Sequence, residues 1–354
     1  MHPFGRVDTG SDCNFPIDHA CIGNQDLFMA RKVRLEFEGA IYHIINRGNY
    51  RRWVFKSEGA GKSFEKCLFE ACEKSGWVLH AYVLMGNHYH LAIETPEANL
   101  VSGMTWLQST FAVRFNRMRK EHGHLFQGRY KALLVQDGGW LGNLCHYIHL
   151  NPVRAGLTDV NGLGDYRYSS YWYLWRERLR PAFVDVTCCL DGAGGLKDSA
   201  AGKKKYKEYL EWMAQEDWAR KEAKFGEMSR GWALGTKEYK RELVKEHKER
   251  LARLDLGEED LGELRELHWE EILGRCLKEM GKGSKDVESE RKSAPWKVAI
   301  AALLKRRTQA PNPWIAEKLQ MGNPKGISHY VGRLHSGKIS GQGLYDLLDK
   351  KIEV

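Results

Sequence analysis

The chain has 354 residues and a formal net charge of +9, with an isoelectric point near 9.0. That length suits two or three domains, and the basic excess favours a polyanionic partner without dictating the fold. The longest apolar run, 298–304, is too short to span a bilayer, and no leader pattern is expected at the start.

The eight cysteines (Cys13, Cys21, Cys67, Cys72, Cys145, Cys188, Cys189 and Cys276) contain no CxxC and no zinc-finger spacing. They read as reduced thiols of a cytoplasmic protein, which argues against a zinc ribbon.

Residues 1–28 mix Gly, Asp, Asn and Pro without periodicity and are expected to form a flexible extension, with the true start at Met1 or Met29. The first patterned segment, 39–46, predicts an apolar strand ending at the turn residues Arg47, Gly48 and Asn49. Residues 58–75 predict a helix with Phe64, Cys67, Leu68, Ala71 and Cys72 on one face, closed by Gly76. A strand over 77–85, a turn at Gly86-Asn87 and a partner strand over 88–94 follow. A helix is expected over 99–120, a long strand or strand pair over 124–136, and a short helix over 138–150 ending before Pro152. Strand–helix–strand–strand–helix–strand is the order of a ferredoxin-like α+β sandwich, a single antiparallel sheet with helices on one side.

After 160 the composition changes. Aromatics crowd 166–175, and 202–290 is charge-rich and helical in pattern, interrupted by Gly226, Gly231 and Gly235. Residues 281–293 read as a polar linker. Helices are then expected over 295–307, 314–320 and 327–334, with a Gly-containing turn at 321–324, which is a helix-turn-helix layout. The last of these helices would present Lys325, Ser328, His329 and Arg333 to DNA beside buried Ile327, Val331 and Leu334. Four segments result: 1–28 an extension, 29–160 a catalytic domain, 161–290 a helical connecting region and 291–354 a helix-turn-helix domain.

The densest chemistry lies in Gly86-Asn87-His88-Tyr89-His90-Leu91-Ala92-Ile93-Glu94. Alternation along a strand sends His88 and His90 to one face, where two imidazoles can share a divalent ion, and Tyr89 to the other. An isolated pair of this kind is weak evidence, because such positions are often only polar sites on a half-exposed strand. Tyr147 and Asn151 lie four apart, on one helical face, and supply a nucleophile and a further ligand. Alone, Tyr147 reads rather as a boundary tyrosine with a packed ring and a wet hydroxyl.

Four pieces in order resemble the REP-associated tyrosine transposases, which are single-tyrosine HUH transposases. They are Tyr42-His43-Ile44-Ile45-Asn46-Arg47-Gly48, Met85-Gly86-Asn87-His88-Tyr89-His90-Leu91, Phe126-Gln127-Gly128-Arg129-Tyr130 and Tyr147-Ile148-His149-Leu150-Asn151-Pro152-Val153-Arg154-Ala155-Gly156. The resemblance implies a metal-dependent endonuclease and strand transferase acting on single-stranded, hairpin-forming repeat DNA. His88 and His90 would be ligands to Mg²⁺ or Mn²⁺, with Asn151 in the place of a third ligand that is Gln in some members. Tyr147 would be the nucleophile, leaving a 5′-phosphotyrosine and a free 3′-hydroxyl. A phenol of ordinary pKa, about 10, needs help to ionise at neutral pH. Arg47, Arg51, Arg52, Arg129 and Lys131 are candidates for phosphate contact, with aromatics to stack on unpaired bases.

The carboxy-terminal helices resemble the DNA-binding end of bacterial replication initiators, which implies a second, duplex DNA partner. A monomer or homodimer, nucleoid-associated when DNA-bound, is the expected state. The alternative function is a DNA-binding regulator that retains an idle transposase fold.

Overall fold

The computed structural model describes residues 34–215, 227–251 and 258–352. The extension expected over 1–28, with Met29, and the glycine at 226 lie outside these residues. Five strands form one sheet in the order β2-β3-β1-β4-β5: β1 Ala40–Arg47, β2 Val78–Leu84, β3 His88–Thr95, β4 Lys131–Val135 and β5 Ala233–Leu234. β3 pairs antiparallel with both β1 and β2, and β1 antiparallel with β4. The first four strands are thus the split βαβ arrangement of the ferredoxin-like order. β5 adds in parallel beside β4, with Leu134 opposite Ala233, and makes the sheet mixed.

Helix α1 (Glu58–Ser75) forms where the sequence supplies an N-cap, Ser57, whose side chain accepts from Ala60 N–H, and a C-terminal glycine, Gly76, at φ 65°. With α2 (Leu100–Arg119) it covers one face of the sheet. Phe64 of α1 packs on Tyr89 of β3 (ring centroids 4.8 Å apart) and on Phe111 of α2 (5.0 Å). Phe64 has no exposed surface, so truncation to alanine would cost about 3–5 kcal/mol.

The opposite face is covered by α3 (Gly139–Arg154), so helices lie on both sides of the sheet and not on one. α3 also runs past the expected end at 150 and carries Pro152 in its last turn. Burial of Leu150, Asn151 and Pro152 outweighs the pre-proline bias there. The strand expected over 124–136 is confined to 131–135. Upstream, Phe126 makes only an isolated bridge to Gly48.

The composition change at 160 marks no break in the core. Val184 bridges Leu79, and Ser169 bridges Val83, at the β2 edge. Arg167 reaches back to grip Glu65 of α1 through both carboxylate oxygens, at 2.6 and 2.8 Å. Helices α4 (Ser170–Leu174), α5 (Thr187–Gly192) and α6 (Ala200–Gln215) pack here, followed by α7 (Lys237–Leu251) and α8 (Glu258–Glu279).

A second apolar core runs from Ile272 to Ile352. It begins inside α8 and includes Val287 of α9 (Ser284–Ser289), so the polar stretch 281–293 is partly helical and packed, not an open linker. Polar residues there face water, while Val287 anchors the turn. Helices α10 (Pro295–Arg307), α11 (Asn312–Lys318) and α12 (Pro324–His335) follow, and α13 (Gln342–Lys351) closes the cluster. Of the three residues expected in the core of α12, Ile327 and Leu334 are buried and Val331 is half-buried. No helix among the described residues is long and apolar enough to cross a membrane.

Candidate active site

β3 and α3 meet over a cavity of about 860 Å³. His88, His90, Tyr147, Asn151, Arg47, Arg51, Arg129 and Lys131 all line it, together with Asn46, Asn87, Arg154 and Ser229. Five of the lining residues are basic and, among the described residues, none is a carboxylate. Such a wall concentrates positive potential where a polyanion would enter.

The tautomers of both histidines follow from their neighbours. His43 Nδ1 lies 2.6 Å from the Met228 carbonyl oxygen, which can only accept, so Nδ1 carries the proton. Burial holds the His43 pKa down to about 4, so the ring is neutral and its Nε2 is bare. That Nε2 stands 2.9 Å from His90 Nδ1, which must therefore donate. His90 is left with an unprotonated Nε2. Burial and then the neighbouring His43 hold its pKa well below the usual range.

His88 is arranged in the same sense. Asn87 donates its amide nitrogen to the Arg51 carbonyl at 3.3 Å and turns its oxygen to His88 Nδ1 at 2.7 Å. His88 Nε2 is therefore bare as well, and burial, then Arg47, holds the pKa at about 4. Metal-ligating imidazoles characteristically donate their other nitrogen to such a partner.

The buried Asn151 donates its amide nitrogen to the Tyr147 carbonyl at 3.1 Å, which fixes the side chain along α3. The Tyr147 hydroxyl is 3.0 Å from Ser229 Oγ. Arg154 holds its guanidinium carbon 5.2 Å from the Tyr147 ring centroid, within cation–π range. The His43 and His90 rings approach Tyr147 edge-on, at 5.9 and 5.5 Å between centroids.

The other tyrosines of the motifs are differently placed. Tyr89 is on the α1–α2 face, accepting from Gln108 at 2.7 Å. Tyr130 is buried, its pKa pushed up to about 12 by burial.

Several residues were not singled out from the sequence. His43, Arg154 and Asn46 lie within the motifs, and a histidine on the apolar strand β1, which pairs directly with the HxH strand, was the one available signal. Asn46 Nδ2 is a buried donor with no partner among the described residues. Met228 and Ser229 carried no signal, because only the parallel pairing of β5 brings them over the site. Tyr50 and Trp53 are strongly exposed beside Arg51, and Trp53 lies so close over Gly86 that any Cβ there would clash with its ring.

Arg52 is not brought to the cavity. It pairs with Glu121 and lies over the Phe115 ring. Lys325, Ser328, His329 and Arg333 are exposed on α12, in the second core cluster. Ser328 Oγ accepts from Lys305 at 3.1 Å and from Asn312 at 3.0 Å.

Residues 36–151 match the family model described as "Transposase IS200 like". Over 119 residues the chain is 26% identical to a REP-associated tyrosine transposase of Haemophilus influenzae, a match covering 30% of this chain and 66% of that protein. The chain therefore spans just under two thirds of that relative. A solved structure, "Structure of the REP associates tyrosine transposase bound to a REP hairpin", aligns with a TM-score of 0.36 at 18% identity, over 45% of this chain and 94% of that one. The matched segment opens just before β1 and closes at Asn151, taking in both histidines and the tyrosine, and over residues 36–151 this chain is similar to the IS200-like transposases.

Proposed function

We propose that the chain is a metal-dependent endonuclease and strand transferase that cleaves single-stranded, hairpin-forming repeat DNA through Tyr147. The observation that carries this is the convergence in one basic cavity of two bare imidazole nitrogens, a carboxamide and a tyrosine hydroxyl.

His88 Nε2, His90 Nε2 and Asn151 Oδ1 would hold Mg²⁺ or Mn²⁺. The donor set fits: both imidazoles are held neutral, and mixed nitrogen and oxygen ligands suit a hard or borderline divalent ion. Such an ion, when bound, supplies Lewis-acid polarisation of the scissile phosphate.

Tyr147 Oη attacks phosphorus and loses its proton to solvent. The bond from phosphorus to the 3′-oxygen breaks, and that oxygen leaves and takes up a proton. A 5′-phosphotyrosine and a 3′-hydroxyl result, and the bond energy is kept for rejoining. Ser229 orients the attacking hydroxyl. Arg47, Arg51, Arg129, Lys131 and Arg154 offset phosphate charge, and Tyr50 and Trp53 offer faces for unpaired bases. The exposed Lys325, Ser328, His329 and Arg333 of α12 would meet duplex DNA beside the hairpin.

The test is incubation with hairpin-bearing single strands and Mn²⁺, read on a denaturing gel. A DNA–protein adduct should form in wild type and vanish in Tyr147→Phe while hairpin binding persists. Cleavage without an adduct would mean hydrolysis by water and an idle tyrosine.

A further inference from the structure

On the α3 side of the sheet, away from the cavity just described, four side chains from three parts of the chain come together. His80 Nδ1 of β2 lies 3.3 Å from Asp185 Oδ2 and 3.5 Å from Cys188 Sγ. The ligand atoms of these three residues all lie within 4.8 Å of one another. Cys145 Sγ of α3 lies 3.5 Å from Cys188 Sγ.

We propose that His80, Cys145, Asp185 and Cys188 form a tetrahedral zinc site that pins the helix carrying Tyr147 to β2 and α5. This reading is independent of the DNA chemistry proposed above.

Three of the six spacings are close to the edges of a zinc tetrahedron; His80, Asp185 and Cys188 already group together, and the Cys145 thiol, which meets them through Cys188, would close on the ion as the fourth ligand. Zinc bonds of about 2.3 Å to sulfur and about 2.0–2.1 Å to nitrogen and oxygen set the edges: roughly 3.7 Å between sulfurs, 3.5 Å from sulfur to nitrogen and 3.3 Å from nitrogen to oxygen. The three observed distances, 3.5, 3.5 and 3.3 Å, fall on or near these edges.

The surrounding contacts orient each ligand atom. His80 turns its other nitrogen, Nε2, to Glu94 Oε2 at 3.1 Å, the carboxylate–histidine pairing of metal sites. Thr187 donates its backbone N–H at 2.9 Å and its hydroxyl at 2.6 Å to Asp185 Oδ1, leaving Oδ2 as the oxygen on the cluster side. Cys145 and Cys188 meet because α3 and α5 touch backbone to backbone one turn away. A Cβ on Gly142 would lie 2.9 Å from Gly192 Cα, and one on Gly192 would lie 2.8 Å from Gly142 Cα. A neighbouring cavity of about 620 Å³, lined by His80, Asp185 and Cys188, gives an ion its way in.

The experiment uses the full chain, isolated without an affinity tag under reducing conditions, in wild type and in a His88→Ala/His90→Ala background that removes the other imidazole pair. Elemental analysis after dialysis against a weak chelator should find one zinc per chain in both. Replacement by Co²⁺ should give a thiolate charge-transfer band and intense tetrahedral d–d bands. Cys145→Ser should halve that charge-transfer band, and Cys188→Ser and Asp185→Asn should lose retained zinc. Absence of retained zinc and of a cobalt spectrum in wild type overturns the proposal whether or not any variant folds. So does a Cys145–Cys188 disulfide in the metal-free chain, or zinc unchanged in Cys188→Ser.

Discussion

The Ser229 hydroxyl stands 3.0 Å from that of Tyr147, although 82 positions separate the two residues in the chain. Ser229 lies outside the family-matched segment and is held there by Lys131, whose ammonium donates to the Ser229 carbonyl at 2.9 Å. The region after 160 therefore closes the candidate active site as well as connecting it to the carboxy-terminal helices.

Removing that contact should slow attack without abolishing it. One neutral hydrogen bond contributes about 0.5–1.5 kcal/mol, so Ser229→Ala should form the covalent adduct roughly two- to tenfold more slowly. Single-turnover gels at saturating DNA measure this, and a rate equal to wild type would make the contact incidental.

His43 does not itself line the cavity, yet it lies behind His90 and sets its tautomer. His43→Ala should lower Mn²⁺ affinity by about 10–100-fold, the usual cost of losing an orienting partner, with little change in hairpin binding. Calorimetry on the folded variant reads the first, and unchanged affinity would separate His43 from the ligand pair.

Acid should weaken the sheet domain. His43, His88 and His146 are held near pKa 4 and His149 near 3, each chiefly by burial. The unfolded chain, with ordinary imidazoles near 6.5, binds more protons between these values, so stability rises with pH in that window. It is fully present above about 6.5 and lost as pH falls through about 4, at up to about 1.4 kcal/mol per pH unit for each histidine. Urea melts from pH 7 to 4.5 should show this, and His149→Gln should flatten the slope. Parallel slopes in the two proteins would contradict the assignment.

The site of truncation should decide whether the amino-terminal part survives alone. Ending the chain at Glu290 strips the partners from Ile272, Leu273, Cys276 and Val287 and should give aggregation. Ending it at Leu251 leaves the second cluster out entirely, takes only Leu264 and Leu267 from the edge of the first, and should keep hairpin cleavage while weakening duplex binding. Light scattering and adduct gels on both truncations distinguish the cases, and a soluble chain ending at 290 would count against the shared core.

Much of the sheet was legible. β1, α1, β2, β3 and α2 fall within a residue or two of expectation because alternation and helical spacing agree with turn residues at each end. The pairing of His88 and His90 with Tyr147 was carried by motif resemblance and not by periodicity. What escaped is whatever forms through space. Pro152 argued for an earlier end to α3, and only tertiary burial keeps the helix going. Met228 and Ser229 arrive by a two-residue strand too short to announce itself. His80, Cys145, Asp185 and Cys188 share no spacing that a linear pattern would catch, so counting CxxC motifs missed them.

α8 belongs to both cores: Leu264 and Leu267 pack with the sheet, Ile272, Leu273 and Cys276 with the carboxy-terminal helices. Glu270 between them receives Arg241 at 2.6 Å from one side and Lys318 at 2.7 Å from the other. A continuous helix is a ruler with a phase. One residue added between Leu267 and Ile272 would advance the far end by about 1.5 Å and turn it by about 100°. The angular offset between the basic cavity and the exposed face of α12 is therefore set by the length of a single helix, and it can be changed in discrete steps without altering either surface.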